Sequence, residues 1–314
     1  MSMAIVFLLV DLFTVGITYG VYGRKTQYYE GMILGIHMEE KYARGEMVTS
    51  FINDYKKKLK KFYIAYDTDV GIKKKTNQDS LLLKGCSEEH GETLLIAICD
   101  GMGGMEKGEL ASATVVRAFS DWFEQVYIKN EMHVGDEGIR QQWQSLLEEI
   151  NGRLIRYGKE NQIQLGTTIS AVLLNSDGQY MLCHVGDTRI YTLSDTLQQL
   201  TEDHTFIARE IKRGNMTIEE AKKDNRRNVL LQCIGVNEFF EPQYENGRLA
   251  HGTALLLCSD GFRHMLSEDE ISESLNPHKN LDEAQIKEKL REMIEWNKQR
   301  METDNISAIY IKLK

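Results

Sequence analysis

The sequence predicts an α+β domain preceded by an apolar N-terminal helix that crosses a membrane. Three observations lead there. From Phe62 onward, short apolar or alternating runs interleave with longer amphipathic stretches; several of the short runs follow one another at hairpin spacing; and Met3 to Tyr22 is apolar at fifteen of twenty positions. Strand-like runs fall at 62–66, 80–84, 93–99, 167–174, 179–185, 188–193, 253–258 and 306–313. Helical spacing covers about 108–128, 137–157, 204–213 and 281–299, the last with Leu281, Ala284, Leu290, Met293 and Ile294 on one face. Only Pro242 and Pro277 punctuate the chain, and no internal repeat is present.

The apolar segment has the length needed to cross a hydrocarbon core as a helix. Its eleven Leu, Ile, Val or Phe residues bring roughly −3 to −7 kcal/mol against about +3.5 for the single acid, Asp11, so the balance favours insertion. A cleaved signal peptide fits less well, because no basic residue precedes the run and no small-residue cleavage site follows it. Arg24 and Lys25 come directly after it, and the positive-inside rule then puts the remainder in the cytoplasm. The expectation is a single-pass cell-membrane protein: residues 1–22 an anchor, 23–61 a charged linker of mixed helical pattern, 62–314 the soluble domain. The lysine run 56–61 closes the linker. A straight helix would carry it about 50 Å from the bilayer against a Debye length of about 8 Å, so it reads as a solvated face.

With 47 acidic and 38 basic residues the net charge is −9, which argues against a broad basic surface and hence against nucleic acid as a partner. A chain 42% hydrophobic and 27% charged is neither wholly disordered nor a multi-span membrane protein. Cys86, Cys99, Cys183, Cys233 and Cys258 lack CxxC spacing and mostly lie in apolar runs, as buried core residues of a reducing compartment do.

The chemistry is carried by acids at strand ends. Asp100 follows Leu94-Leu95-Ile96-Ala97-Ile98-Cys99 and opens Asp100-Gly101-Met102-Gly103-Gly104; Asp260 follows Ala254 to Ser259 and precedes Gly261. Asp187 follows Val185-Gly186, Asp304-Asn305 precedes the final strand, and Asp79 opens another. A strand holds such a carboxylate rigidly, and the neighbouring glycine lets backbone or ligand come close. Converging acids repel unless cations neutralise them. Hard oxygen ligands favour Mg²⁺ or Mn²⁺ over zinc, and no Cys/His cluster has zinc spacing. Two such ions about 4 Å apart bridge a water, lower its pKa and clamp a phosphoryl oxygen. Any single Asp-Gly pair is more simply a turn; five acids in this order and context are not.

From about Tyr63 to Leu313 the chain resembles the metal-dependent serine/threonine phosphatases of type 2C, the PPM family, especially bacterial members. The matching stretches run in order: Asp69-Val70-Gly71 through Asn77-Gln78-Asp79; Asp100 to Gly104 with Gly108-Glu109 and Ala111-Ser112; Gly166-Thr167-Thr168; His184 to Arg189; Leu200 to His204; Ile234-Gly235; Ser259-Asp260-Gly261; and Asp304-Asn305. The Asp-Gly-Met-Gly-Gly string alone arises by chance in about one chain in ten thousand. The resemblance implies two packed antiparallel β-sheets flanked by helix pairs, with metals at one end of the sandwich. It implies Asp100 and the Gly101 carbonyl as ligands of two core Mn²⁺ or Mg²⁺ ions, Asp260 and Asp304 completing the set, and Asp79 in or just behind it. Asp187 would serve a third, weaker ion. Catalysis would then run through Asp79, Asp100, Asp260 and Asp304, with a metal-bridged hydroxide attacking phosphorus in line. Residues of about 203–228 resemble a mobile flap.

Two positions depart from the family pattern. Lys74 stands where many members carry a phosphate-gripping Arg, so phosphate binding falls to a point charge without the bidentate fork. Met102 replaces the His that many eukaryotic members use toward the leaving group; His184 and His204 read as structural, and no histidine is assigned that task. The expected function is hydrolysis of phosphoserine and phosphothreonine in proteins, opposing a serine/threonine kinase, with phosphoproteins, including such a kinase, as partners. The alternatives are a catalytically weak phosphoprotein-binding relative and a metallophosphatase acting on a small metabolite.

Overall fold

A computed structural model describes residues 59–88, 91–102, 107–129, 135–221, 223–226 and 229–314, together with the backbone of 27–34. The predicted anchor, Met3 to Tyr22, lies outside the described residues; among those described, no helix is long and apolar enough to cross a membrane.

The predicted α+β class holds, as two antiparallel sheets with helices on their outer faces. The first sheet has the order β1 (Gln27–Leu34), β3 (Ser80–Glu88), β4 (Gly91–Cys99), β7 (Ile169–Asn175), β8 (Gln179–Val185), β11 (Gln243–Arg248). The second runs β10 (Leu197–Gln199), β9 (Arg189–Leu193), β12 (Ala254–Cys258), β13 (Ile306–Leu313), β2 (Phe62–Asp69). A two-stranded ribbon, β5 (Gly101–Met102) with β6 (Gly166–Thr167), extends one end.

Side-chain alternation sorts the core into three layers. In β3 and β4, Leu81, Leu83, Leu94, Ile96 and Ile98 point at Ile64, Leu255, Leu257, Ile309 and Ile311 of the second sheet. Their neighbours Leu82, Leu95 and Ala97 turn the other way, onto helices α1 (Gly108–Trp122) and α2 (Asp136–Asn161), where Phe119, Trp122 and Trp143 pack ring to ring at 5.3–5.4 Å. The second sheet's outer face, including Leu256 and Tyr310, is covered by α6 (Glu268–Leu275) and α7 (Glu283–Gln299) through Ile271, Leu290, Met293 and Ile294. Strand β4 is buried on both faces, which is why it reads as a continuous apolar run and not an alternating one. All five cysteines are buried, as their apolar contexts predict.

The connector differs from a simple linker. Gln27–Leu34 pairs antiparallel with β3 over eight residues, from Gln27↔Ser87 to Leu34↔Ser80. An edge strand is satisfied by backbone hydrogen bonds whatever its side-chain period, so a mixed helical pattern does not reveal it. The end of the lysine run is also held: Leu59 is buried, and the N–H groups of Lys60 and Lys61 donate to the Glu92 carboxylate at 2.8 and 2.9 Å. Two further elements escape the periodicity. Strand β11, Gln-Tyr-Glu-Asn-Gly-Arg, is a half-exposed edge without apolar alternation. Helix α6 is short, yet it carries a legible signal, the Ser267/Glu270 capping box.

Candidate active site

Sheet register brings the strand-end acids to one end of the sandwich. In the first sheet Ser80 pairs with Cys99, Ile98 with Ser170, and Ile169 with Val185, so Asp79, Asp100 and Asp187 leave their strands at the same edge. In the second sheet Ile306 pairs with Asp69 and Cys258 with both Ala308 and Arg189, which puts Asp260 and Asp304 at the corresponding edge. The two edges are joined across the sandwich: the Gln78 N–H donates to Asn305 Oδ1 at 2.9 Å, and the Ser307 hydroxyl donates to Asp79 Oδ2 at 2.6 Å.

Glycine is required at the closest crossings. Gly71 has φ of +77°, and a Cβ there would stand 2.2 Å from the Asp304 carbonyl. Gly101 and Gly108 face each other so closely that a Cβ on Gly101 would lie 2.3 Å from the Gly108 carbonyl. Where Gly101 meets Gly108 there is therefore room for backbone alone. Asp100 is fixed by its neighbours: its N–H donates to Thr168 Oγ1, and its carbonyl accepts from the Thr168 N–H and the Thr167 hydroxyl, each at 2.9 Å.

The electrostatics are those of acids crowded together. Burial, then the charges of Asp260 and Asp304, push the Asp79 carboxyl up to about 7, against the hydrogen bond from Ser307. Burial and the fields of Asp79, Asp260, Asp304 and Asp187 push Asp100 well above the carboxylate range. Asp187 is pushed up to about 7 by burial and Asp260, with Arg263 acting the other way. Asp79 Oδ1 and Asp260 Oδ1 are buried with no hydrogen-bond partner, the state of oxygens suited to a cation. As the side chains stand, however, no three His, Cys, Asp or Glu among the described residues are close enough together to hold an ion. Lys74 supplies positive charge there instead: its Nζ pairs with Asp304 Oδ1 at 2.9 Å. Burial works against that ammonium, but the hydrogen bond to Asp304 and the charges of Asp304, Asp100 and Asp260 hold its pKa above the usual lysine range.

Several contributors had no role assigned from the sequence. Asn305 staples the loop before β3 by donating to the carbonyls of Val70 (3.0 Å) and Thr76 (3.2 Å) while accepting from Gln78. A hydroxyl chain backs Asp79: Asn77 Nδ2 donates to Thr68 Oγ1 (2.7 Å), Thr68 and Ser307 share a hydrogen bond (2.7 Å), and Ser307 donates to Asp79. His264 was not among the candidates, yet its Nε2 lies 3.7 Å from Asp260 Oδ2 and its Nδ1 3.4 Å from Glu302 Oε2. Its i+4 spacing from Asp260 was the available signal. The rings of His184 and His204 lie 5.0 Å apart, tilted by 40°, and His184, pushed down to about 3 by burial and by His204, is a neutral core residue.

The described residues within 203–228 include two short helices, α3 (Phe206–Lys212) and α4 (Ile218–Ala221). The segment is closed at its base by backbone bonds from Phe206 N–H to Val229 and from Leu231 N–H to His204. The His204 N–H in turn donates to the Gly186 carbonyl, beside Asp187.

Comparison with known proteins agrees with this geometry. The family described as Protein phosphatase 2C matches residues 72–295. The serine/threonine phosphatase stp of Listeria innocua serovar 6a is 32% identical over 223 residues, covering 69% of this chain and 84% of that protein. Protein phosphatase PhpP of Streptococcus pneumoniae serotype 2 is 32% identical over 206 residues, covering 65% and 80%. Among solved structures, the S. agalactiae serine/threonine phosphatase superposes with a TM-score of 0.69 at 29% identity, over 81% of this chain and all of that one. The catalytic domain of the serine threonine protein phosphatase PstP, in complex with two manganese ions, gives 0.64 at 26% identity, over 81% and 98%. With the acids at one end of a two-sheet sandwich and the family match spanning residues 72–295, the chain belongs to the protein phosphatase 2C family.

Proposed function

We propose that this chain is a metal-dependent serine/threonine protein phosphatase whose core ions, Mn²⁺ or Mg²⁺, are held by Asp79, Asp100, Asp260 and Asp304 with the Gly101 carbonyl. The observation that carries the reading is the convergence of these acids with two orphaned buried oxygens, Asp79 Oδ1 and Asp260 Oδ1. Divalent cations held by these residues would lower the pKa of a bound water and stabilise phosphoryl charge, so that hydrolysis would need no protein nucleophile. Ser307 holds Asp79 by one oxygen and leaves the other, buried, without a hydrogen-bond partner. Thr167 and Thr168 fix the backbone of Asp100. Lys74, paired here with Asp304 Oδ1, would be available to the substrate phosphate as a point charge wherever bound cations took over that carboxylate.

The substrates are phosphoserine and phosphothreonine proteins, and a serine/threonine kinase acting on them is the natural opponent. Met3 to Tyr22, followed by Arg24 and Lys25, supports a membrane tether with the catalytic domain on the cytoplasmic side. Fractionation of cells without detergent tests the tether: recovery of the full-length protein in the soluble fraction contradicts it. A second reading, a weakly catalytic phosphoprotein binder, is favoured by the Lys74 to Asp304 ion pair, which occupies the one cation expected to grip phosphate. The complete set of acids weighs against it.

The experiment is turnover of a phosphothreonine peptide with and without Mn²⁺, alongside Asp260→Ala. The account expects Mn²⁺-dependent hydrolysis that the substitution abolishes. Undiminished turnover by Asp260→Ala refutes the ligand assignment, and faster turnover of sugar phosphates than of phosphopeptide favours a metabolite substrate.

A further inference from the structure

Asp187 is the acid that the family resemblance assigns to a third ion, and its surroundings do not fit one. Arg263 ends helix α5 (Asp260–Arg263), three residues after Asp260. Its Nη2 donates to the Asp187 carbonyl at 3.1 Å and stands 4.0 Å from Asp187 Oδ2 and 3.7 Å from Asp203 Oδ2. The three side chains are 13%, 12% and 10% exposed, so solvent screens them little. Asp203 is further fixed by a bidentate bond from Arg189, 2.8 Å to Oδ1 and 2.7 Å to Oδ2. An arginine does not lose its proton in proteins, so this positive charge cannot be withdrawn to admit another. A divalent cation bound to Asp187 would therefore sit against a fixed guanidinium in a poorly screened setting, and part of the oxygen set it needs is already committed to Arg263.

We propose that the Arg263 guanidinium takes the place of a third divalent cation at Asp187, so that this chain works with two ions only. Arg263 is then a positioning residue. It ties the helix that begins with Asp260 to the Gly186-Asp187 turn and to Asp203 at the base of the 203–228 segment, a link that a dissociable ion would otherwise make. The inference rests on the two-ion reading above, and the test separates the two.

The measurement is the number of Mn²⁺ ions bound by the full-length protein, by equilibrium dialysis with metal analysis and by native mass spectrometry. The wild type is expected to bind two, and Asp187→Asn still two. Arg263→Ala is expected to bind three, the extra ion disappearing when Asp187→Asn is added. Three ions on the wild type, falling to two in Asp187→Asn, overturn the proposal and leave the two-ion core intact. A folded Arg263→Ala that stays at two also overturns it. Binding of no ion by the wild type removes the two-ion reading and the proposal together. Should Arg263→Ala fail to fold, the wild-type and Asp187→Asn counts decide alone.

Discussion

Replacing Asn305 by alanine probes the joint between the two sheets. The side chain is almost fully buried and makes three hydrogen bonds to backbone, two donated to the carbonyls of Val70 and Thr76 and one accepted from the Gln78 N–H. Truncation leaves these groups without that partner, at about 1 to 2 kcal/mol each, so Asn305→Ala is expected to lose about 3 to 6 kcal/mol. That is a large share of the roughly 5 to 15 kcal/mol of a typical domain. The loop it staples carries Lys74 and leads into Asp79, so Mn²⁺ affinity falls with stability. Urea unfolding by linear extrapolation reads the first effect and calorimetric Mn²⁺ titration the second. A loss below about 1 kcal/mol with unchanged Mn²⁺ affinity refutes the reasoning, because the staple would then be redundant.

Without metal, stability should fall as pH rises. Asp79 and Asp187 are pushed up to about 7 in the folded chain, whereas an unfolded Asp titrates near 4. Below about 4 both states are protonated and there is no cost; between about 4 and 7 the folded state retains protons that the unfolded state has released, so the cost grows, and above about 7 it is complete. Melting in chelator should thus occur at higher temperature at pH 5.5 than at pH 8, with Mn²⁺ reducing the difference; a chelated protein more stable at pH 8 contradicts this. Lys74→Ala is expected to raise KM for a phosphopeptide more than it lowers kcat, and Lys74→Arg to restore or improve binding through its fork; a pure kcat effect argues against a phosphate contact. Lys84 is buried beside Ser120, with Glu124 at 2.6 Å. Removing Glu124, itself about one-third exposed, is expected to cost about 2 to 3 kcal/mol in chemical unfolding, more than Lys84→Met, which leaves behind only the Glu124 carboxylate that water already reaches. Equal losses would show that the ammonium is not the source of the cost.

The parts legible in the sequence are those that local pattern encodes. The run Leu94 to Cys99 reads as a strand because burial on both faces makes it continuously apolar, and Asp100 then falls at its end by simple counting. The same holds for β12 and Asp260. What local pattern cannot encode is which distant backbone a polar side chain will meet. Asn305 reaches Gln78 across 227 positions and Ser307 reaches Asp79 across 228. Arg263 and His264 had a partial signal, their helical spacing from Asp260, but their meaning depends on Asp187 and Glu302 arriving from elsewhere in the chain. The edge strands β1 and β11 were hidden because pairing on one side only demands backbone hydrogen bonds and little apolar surface.

The account turns on acids from four separate stretches of chain serving one pair of cations. Crystals grown with Mn²⁺ and measured at the manganese absorption edge test it directly. Two anomalous peaks ringed by Asp79, Asp100, Asp260 and Asp304, with the Gly101 carbonyl among the ligands, are the predicted result. Peaks that avoid these side chains, or no peak there while Lys74 still holds Asp304, would contradict it.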